Sequence, residues 1–296
     1  MSTPFVSGFT FIKNALTLGY PIKESLESLE PLCDEVIVNV GFDDRNLKND
    51  DGTYDYLRDH FAHSKFRFYR SYWDPSKTSG GKILAEQTNI ALSYCEGKIC
   101  QYIQADEILH EKDYPAIHDA YINWDKRSDI DGLVFNYIHF YGNVDIVKHT
   151  RSIYRKEIRA IKNQKNIRSW KDAQGFRYQS GTKIHCLPVE ASVYHYGWAR
   201  KEMVMNNKVV AMDRLYHGNK NEQAAFKYER IWGLKAFRDH HPEVMKKWIE
   251  EHRNDIDIMN LPFRLELKNM GLLISDTVEE FTGFRIGEYR NYFLVD

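Results

Sequence analysis

A chain of 296 residues with 41 Lys and Arg against 42 Asp and Glu carries a formal net charge of -1, so no global field gathers nucleic acid or acidic lipid, and phosphate must be met by local groups. An apolar content of 43% allows a real core, yet no run approaches the ~18 apolar residues that span a bilayer. The opening residues, broken by Pro4 and Gly8, lack the basic and apolar regions of a secretory leader. Cys33, Cys95, Cys100 and Cys186 lack the spacing of a zinc knuckle or a disulfide framework and read as reduced packing residues. A soluble, cytoplasmic protein is expected, working in the cytosol or at the inner face of the membrane.

Phe5 to Phe11 reads as a buried strand, followed by a polar turn at Lys13-Asn14. Pro21 opens a helix with Ile22, Leu26 and Leu29 on one face, and Pro31 stops it. Glu35 to Val40 is a continuous apolar run of the kind found in parallel strands covered on both faces. A helix over Tyr54 to Phe61, a strand over Lys65 to Tyr72, a helix over Lys82 to Tyr94 and a strand over Ile99 to Gln104 follow. A helix near Tyr114 to Trp124 leads into an alternating strand, Gly132 to Tyr141, and then an irregular stretch to Tyr196. Past Glu202 the pattern changes to charged helices, Asn221 to Asp239 and Pro242 to His252. The expected class is α/β, a mostly parallel central sheet with helices on both faces, over residues 1–200, and a helical C-terminal extension over residues 201–296 packs on it.

In open parallel sheets ligands collect at the carboxyl ends of strands. Asp43-Asp44 ends the second strand and Asp106-Glu107 the fourth, so the fold can bring both pairs to one crevice. A carboxylate there accepts hydrogen bonds from a ribose or holds a divalent cation against a diphosphate; Asp43-Asp44 reads equally as a solvated turn. Lys82 follows Gly80-Gly81 at a helix start, where backbone donors and a cation meet an anion, although the same lysine serves as an exposed helix charge.

These segments resemble family 2 of the GT-A glycosyltransferases, the nucleotide-diphospho-sugar transferase fold. Ser7-Gly8-Phe9 with Asn14, Ser25-Leu26-Glu27-Ser28-Leu29 and Glu35-Val36-Ile37-Val38 are similar to the family's donor-binding start. Asp51-Gly52-Thr53 is similar to its S-T-D-G-T element. Gln87-Thr88-Asn89-Ile90-Ala91-Leu92, Gly97 and Tyr102-Ile103-Gln104-Ala105-Asp106-Glu107 are similar to its helix leading into the D-x-D strand end. The resemblance covers roughly residues 5–200, and Gln104 departs from it by standing where D-x-D has its first acid. It implies a divalent cation, Mn²⁺ or Mg²⁺, on Asp106, helped by Glu107 and by the late His195. It also implies a donor site with Ser7, Gly8 and Gln104 and a nucleotide-contacting acid for which Asn39, Asp43, Asp44 and Asp51 compete, Asp43 and Asp44 lying closest to the strand end; Lys82 joins it from its place at the helix start. Arg200 and Lys201 would screen phosphate, and Asp172, with Glu190 as a rival, would take the acceptor proton in place of the family's acidic pair.

The function this implies is an inverting transferase that moves a sugar from a nucleotide-sugar donor to a glycan or lipid-linked acceptor in cell-surface polysaccharide assembly. It leaves room for peripheral membrane association and a homodimer. The rivals are a sugar-nucleotide nucleotidyltransferase, which Ser7-Gly8-Phe9-Thr10 does not favour because it lacks a basic glycine-rich loop, and a non-catalytic glycan-binding scaffold with a decayed donor site.

Overall fold

A computed structural model describes residues 5–77, 80–217, 225–263, 267–287 and 289–295. The first half alternates strand and helix: β1 (Val6–Ile12), α1 (Ile22–Leu29), β2 (Glu35–Phe42), α2 (Thr53–His60), β3 (Phe66–Tyr72), α3 (Lys82–Ser93) and β4 (Ile99–Tyr102). Next come β5 (Glu107–Leu109), α4 (Tyr114–Asp125), β6 (Gly132–Tyr141), β7 (Asn143–Lys148), β8 (Lys156–Lys162), β9 (Ile167–Trp170), β10 (Gly175–Tyr178) and β11 (His185–Trp198). The remainder holds α5 (Glu202–His217), β12 (Leu234–Ala236), α6 (Lys246–His252), α7 (Leu267–Thr282) and β13 (Phe293–Leu294).

β4, β1, β2 and β3 lie side by side and parallel, so their carboxyl ends share one edge of the sheet. β8 joins β4 antiparallel, and β6, β7 and β12 continue outward from it. β6 also pairs along its length with the parallel β11, which in turn carries the short β5 and β13. The class is α/β as expected. Its sheet is mixed, with a parallel half and an antiparallel half.

The period-two alternation of a strand sorts the core into two layers. Val36, Val38 and Val40 of β2 pack with Leu26 and Leu29 of α1, Leu57 of α2 and Trp124 of α4. Ile37 points the other way, toward Phe9, Ala91 and Leu92 and the β9–β10 hairpin residues Ile167 and Phe176. Asp51-Gly52-Thr53 serves α2 as its cap: Asp51 Oδ1 accepts from the Thr53 N–H at 3.2 Å and Asp50 Oδ2 from that of Tyr54 at 2.9 Å, which satisfies donors that a helix start leaves orphaned. The four cysteines are buried and unpaired.

Two expectations fail. The stretch after Tyr141 is not irregular but forms β7 to β11; β7 to β10 are too short to show a clear period, and the 14-residue β11 mixes exposed and buried positions along its first part. The helix expected over Asn221 to Asp239 begins outside the described residues, and 225–239 is not helical: it holds a turn at Trp232-Gly233 and the short β12, which pairs with β7. The helices of this region are α5, α6 and α7, of which α6 falls inside the expected Pro242 to His252.

Glu157 of β8 is buried and accepts from the Ile158 N–H at 2.9 Å and Gln174 Nε2 at 3.0 Å. Burial pushes its pKa up to about 7 from 4.5. Between those values the folded chain keeps a proton that the unfolded chain has released, so this residue lowers stability as pH rises through that window. Glu157→Gln should therefore gain on the natural chain by about 3 kcal/mol between about pH 4 and about pH 8, read from urea unfolding at both values. Equal slopes with pH in the two proteins would contradict the assignment.

Candidate active site

β4 stops at Tyr102, and the chain turns through Gln104 and Asp106 before reversing as β5 against β11. The turn is pinned from both sides. Ser25 Oγ donates to the Gln104 carbonyl at 3.1 Å, and the Gln104 N–H donates to Glu107 Oε2 at 3.1 Å. Glu107 is wholly buried and forms a two-pronged pair with the equally buried Arg159, Nε to Oε2 at 2.8 Å and Nη2 to Oε1 at 2.6 Å, and it accepts from Tyr137 Oη at 2.9 Å. Such a fork matches a carboxylate edge to edge. Glu107 is thus spent on structure, which corrects its expected part in holding a cation.

Asp106 projects from this turn with 6% exposure. Its Oδ2 accepts from Lys208 Nζ of α5 at 2.8 Å, and Oδ1 lies 3.7 Å from His195 Nε2. Burial acts to raise the Asp106 pKa, but the Lys208 ammonium, with Arg200 beyond it, outweighs burial and holds the acid well below the usual carboxylate range. Lys208 also donates to the Gly197 carbonyl at 2.9 Å, and burial lowers its own pKa to about 8.

The hydrogen bonds fix the histidine tautomers. His139 Nε2 lies 2.8 Å from the Tyr154 carbonyl, which accepts only, so Nε2 carries the proton. Burial keeps His139 and His195 neutral-leaning, their pKa values below the ordinary imidazole range. His139 Nδ1 therefore offers a lone pair, His195 Nδ1 donates to it at 3.0 Å, and His195 Nε2 is left with a lone pair turned toward Asp106. Two electron-rich atoms thus face each other. Gly197 keeps the space beside them free, since a Cβ there would stand 2.5 Å from His195 Nε2 and 2.8 Å from Asp106 Oδ2.

Asp106 and His195 supply two donor atoms, and Lys208 stands on one oxygen of the carboxylate. One carboxylate oxygen and one neutral imidazole suit a borderline ion such as Mn²⁺, and such sites take their remaining ligands from phosphate and water. Among the described residues no group of three or more His, Cys, Asp or Glu forms a closed cage.

α5 runs along the carboxyl edge of the parallel strands. At its start Arg200 donates from Nη2 to the Gly197 carbonyl at 3.0 Å, bonds the Leu18 carbonyl through Nη1 and lies over the Tyr20 ring at 4.6 Å. At its end Leu215 and Tyr216 pack against Trp73, Ile83, Leu84 and Ala173. Tyr216 Oη donates to Asp172 Oδ2 at 2.9 Å. Only Met205 and Lys208 of the helix are buried.

The other expected residues divide. Asp172 sits in the β9–β10 turn between Lys171 and Ala173, two non-glycine residues with left-handed φ of 53° and 63°, a strained backbone of the sort kept at functional turns. Gln104 reaches this turn, Nε2 donating to the Ala173 carbonyl at 3.2 Å. Lys82 is exposed at the first position of α3, beside Gly81, whose missing Cβ admits Asp172 and Tyr216. Asp43 pairs with Lys13 at 2.5 Å, and Lys13 also lies over the Trp73 ring at 5.4 Å, at the ends of β1, β2 and β3.

Ser7, Gly8 and Asp44 have structural partners of their own. Ser7 lies toward the amino end of β1, away from the edge where the acids gather, and its hydroxyl is used by Glu35 at 2.5 Å and the Gly97 N–H at 2.7 Å. Gly8 is bare because a Cβ would come within 2.8 Å of Cys33 Sγ and 2.9 Å of Leu29. Asp44 spends both oxygens on its own loop, accepting from the N–H groups of Asn46, Lys48 and Asn49 at 2.7 to 3.0 Å. Lys201 is exposed at the entry to α5.

Lys208, His139 and Tyr216 were not among the expected residues. No described helix is long and apolar enough to cross a membrane.

No protein-family model matches the chain, and no curated protein matches it. Among solved structures, residues 1–349 of S. aureus TarS in complex with UDP match at 21% identity over 47% of this chain and 37% of that one, with a TM-score of 0.32. TarS 1–349 without a named ligand matches at 14% identity over 72% and 66%, with a TM-score of 0.35. The mannosyltransferase PcManGT from Pyrobaculum calidifontis, in complex with GDP-Man and Mn²⁺, matches at 17% identity over 47% and 37%, with a TM-score of 0.31. The chain spans little more than a third of the length of the first of these.

Lys208→Met leaves a buried carboxylate without its ammonium and should destabilise the fold by roughly 3–5 kcal/mol. Adding Asp106→Asn should return most of that loss in urea unfolding, since the coupling of two partners appears as non-additivity. Additive effects would show that the two groups do not depend on one another.

Proposed function

We propose that the chain is a nucleotide-sugar glycosyltransferase with a GT-A domain of family 2 character over residues 1–200 and a capping extension over residues 201–296. The observation that supports this most is the Asp106–His195 pair, set in front of Gly197 at the carboxyl edge of the parallel strands. A diphosphate leaves readily only if its growing negative charge is met. Asp106 and His195 would hold Mn²⁺ or Mg²⁺ there, and the ion would supply that neutralisation.

The remaining groups fit around the same edge. Asp43, paired with Lys13, lies at the ends of β1 and β2, where it would accept from a ribose, and Gln104 and Lys82 flank the approach. In transfer the acceptor oxygen bonds to the anomeric carbon as the bond from that carbon to the diphosphate oxygen breaks. Asp172 takes the acceptor's proton, and attack from the face opposite the leaving group inverts the centre. The acceptor is a glycan or a lipid-linked glycan, reached from the cytoplasmic side.

α5 holds both acids that this reaction needs, Asp106 through Lys208 and Asp172 through Tyr216. Donor entry therefore requires the helix to give up the Lys208–Asp106 ion pair and the Tyr216–Asp172 hydrogen bond, a cost that the incoming cation and diphosphate must offset. The same contacts favour a second reading, a non-catalytic nucleotide or glycan binder in which Lys208 permanently replaces the cation.

Calorimetric titration with UDP, GDP and dTDP in the presence and absence of Mn²⁺, followed by assay of donor hydrolysis or transfer, separates the two. The transferase should bind one nucleotide more tightly with Mn²⁺, turn over its sugar conjugate, and lose about 100-fold or more of its rate in Asp106→Asn. Transfer at a near-natural rate in that variant would refute the role given to Asp106. Nucleotide binding without turnover would establish the binder.

A further inference from the structure

The segment 149–155 has two faces. On one, the Tyr154 carbonyl accepts from His139, which orders His195 beside Asp106. On the other, Arg155 pairs with Glu279 of α7, and the His149 N–H donates to the Gly233 carbonyl at 2.7 Å. Behind this second face is a cavity of about 420 Å³, lined among others by His149, Trp232, Phe263, Asp276, Glu279 and Glu280. That volume is within the range of small-molecule sites.

Its chemistry is selective. Trp232 Nε1 donates to Asp276 Oδ2 at 2.7 Å, which fixes the indole against α7, and the Phe263 ring lies 6.4 Å from it. Asp276 Oδ1 is buried and has no hydrogen-bond partner among the described residues, an arrangement that folded proteins avoid unless a ligand or water completes it. An ionised carboxylate only accepts, so the missing partner is a donor. Glu279 is already paired with Arg155 and Arg285, and the remaining carboxylates of the lining, Asp276 and Glu280, are matched by Arg230 and Lys235, so the cavity carries no net charge that would select an ion.

We propose that this cavity binds one pyranose of a neutral glycan, its C–H face on Trp232 and one hydroxyl donating to Asp276 Oδ1. An aromatic face beside an acceptor-only carboxylate matches a sugar ring, which has an apolar face and a rim of hydroxyl donors. That this glycan is the acceptor rests on the transferase reading, and the shared 149–155 segment is what joins the cavity to the Asp106 cluster.

The test uses the full chain and trisaccharides of glucose, galactose, mannose and N-acetylglucosamine, with saturation-transfer NMR and tryptophan fluorescence as readouts. At least one trisaccharide should bind. Trp232→Ala and Asp276→Ala should each weaken it more than tenfold, Trp232→Phe should retain part of the affinity, and nucleotide affinity should stay unchanged in all three. Absence of binding by every trisaccharide, or binding indifferent to Trp232→Ala and Asp276→Ala in folded protein, would overturn the inference. Saccharide binding in a chain that binds no nucleotide would leave the cavity standing and remove the transferase, whereas sugar transfer without saccharide binding here would do the reverse.

Discussion

A carboxylate withdrawn from water has to find positive charge or hydrogen-bond donors, and the turn after β4 presents two such groups in succession. Glu107 faces inward and is met by the guanidinium of Arg159, a strand residue of β8. Asp106 faces the sheet edge and is met by Lys208, a helix residue more than a hundred positions later in the chain. The first pairing fixes where the turn sits. The second decides what the turn offers to a ligand, because the proton, the ammonium and a divalent ion all compete for the same oxygens. The parallel half of the sheet, the reversal onto β11 and the placement of α5 all converge on these two side chains.

The histidine pair extends the same logic away from the edge. A backbone carbonyl at Tyr154 sets the tautomer of His139, which sets that of His195, which leaves a lone pair at the position nearest Asp106. None of this requires a charged group beyond the carboxylate itself. It requires burial, which keeps both rings from taking a second proton, and the bare backbone at Gly197, which keeps the space in front of them clear.

Legibility in the sequence followed the strength of the local signal. Val36-Ile37-Val38 announced a doubly covered strand and formed one, and the strand–helix alternation through β4 came out within a few residues of the expected bounds, because each of those elements carries its own periodicity. The position of Asp106 at a strand end was visible for the same reason. Its partner was not, since a lysine on a helix reads as solvated until the helix is laid across the sheet. Ser7 shows the converse: an order of motifs resembling a known family pointed to a donor contact, but in the fold its hydroxyl stitches β1 to β2 at the opposite end of the sheet. From Asn143 to Trp198, short strands paired over long separations have no local period long enough to read, and only their partners define them.

The hold of α5 on the two acids has a thermodynamic meaning for anyone weighing ligand affinities. If the helix rests on the crevice in most molecules, a donor meets a receptive form only in the remainder, and the dissociation constant observed is the intrinsic one divided by that fraction. Substitutions on the solvent side of the helix, far from phosphate or sugar, would then tune the measured affinity by shifting this balance alone, and tight binding would report a loosened helix as readily as an improved contact.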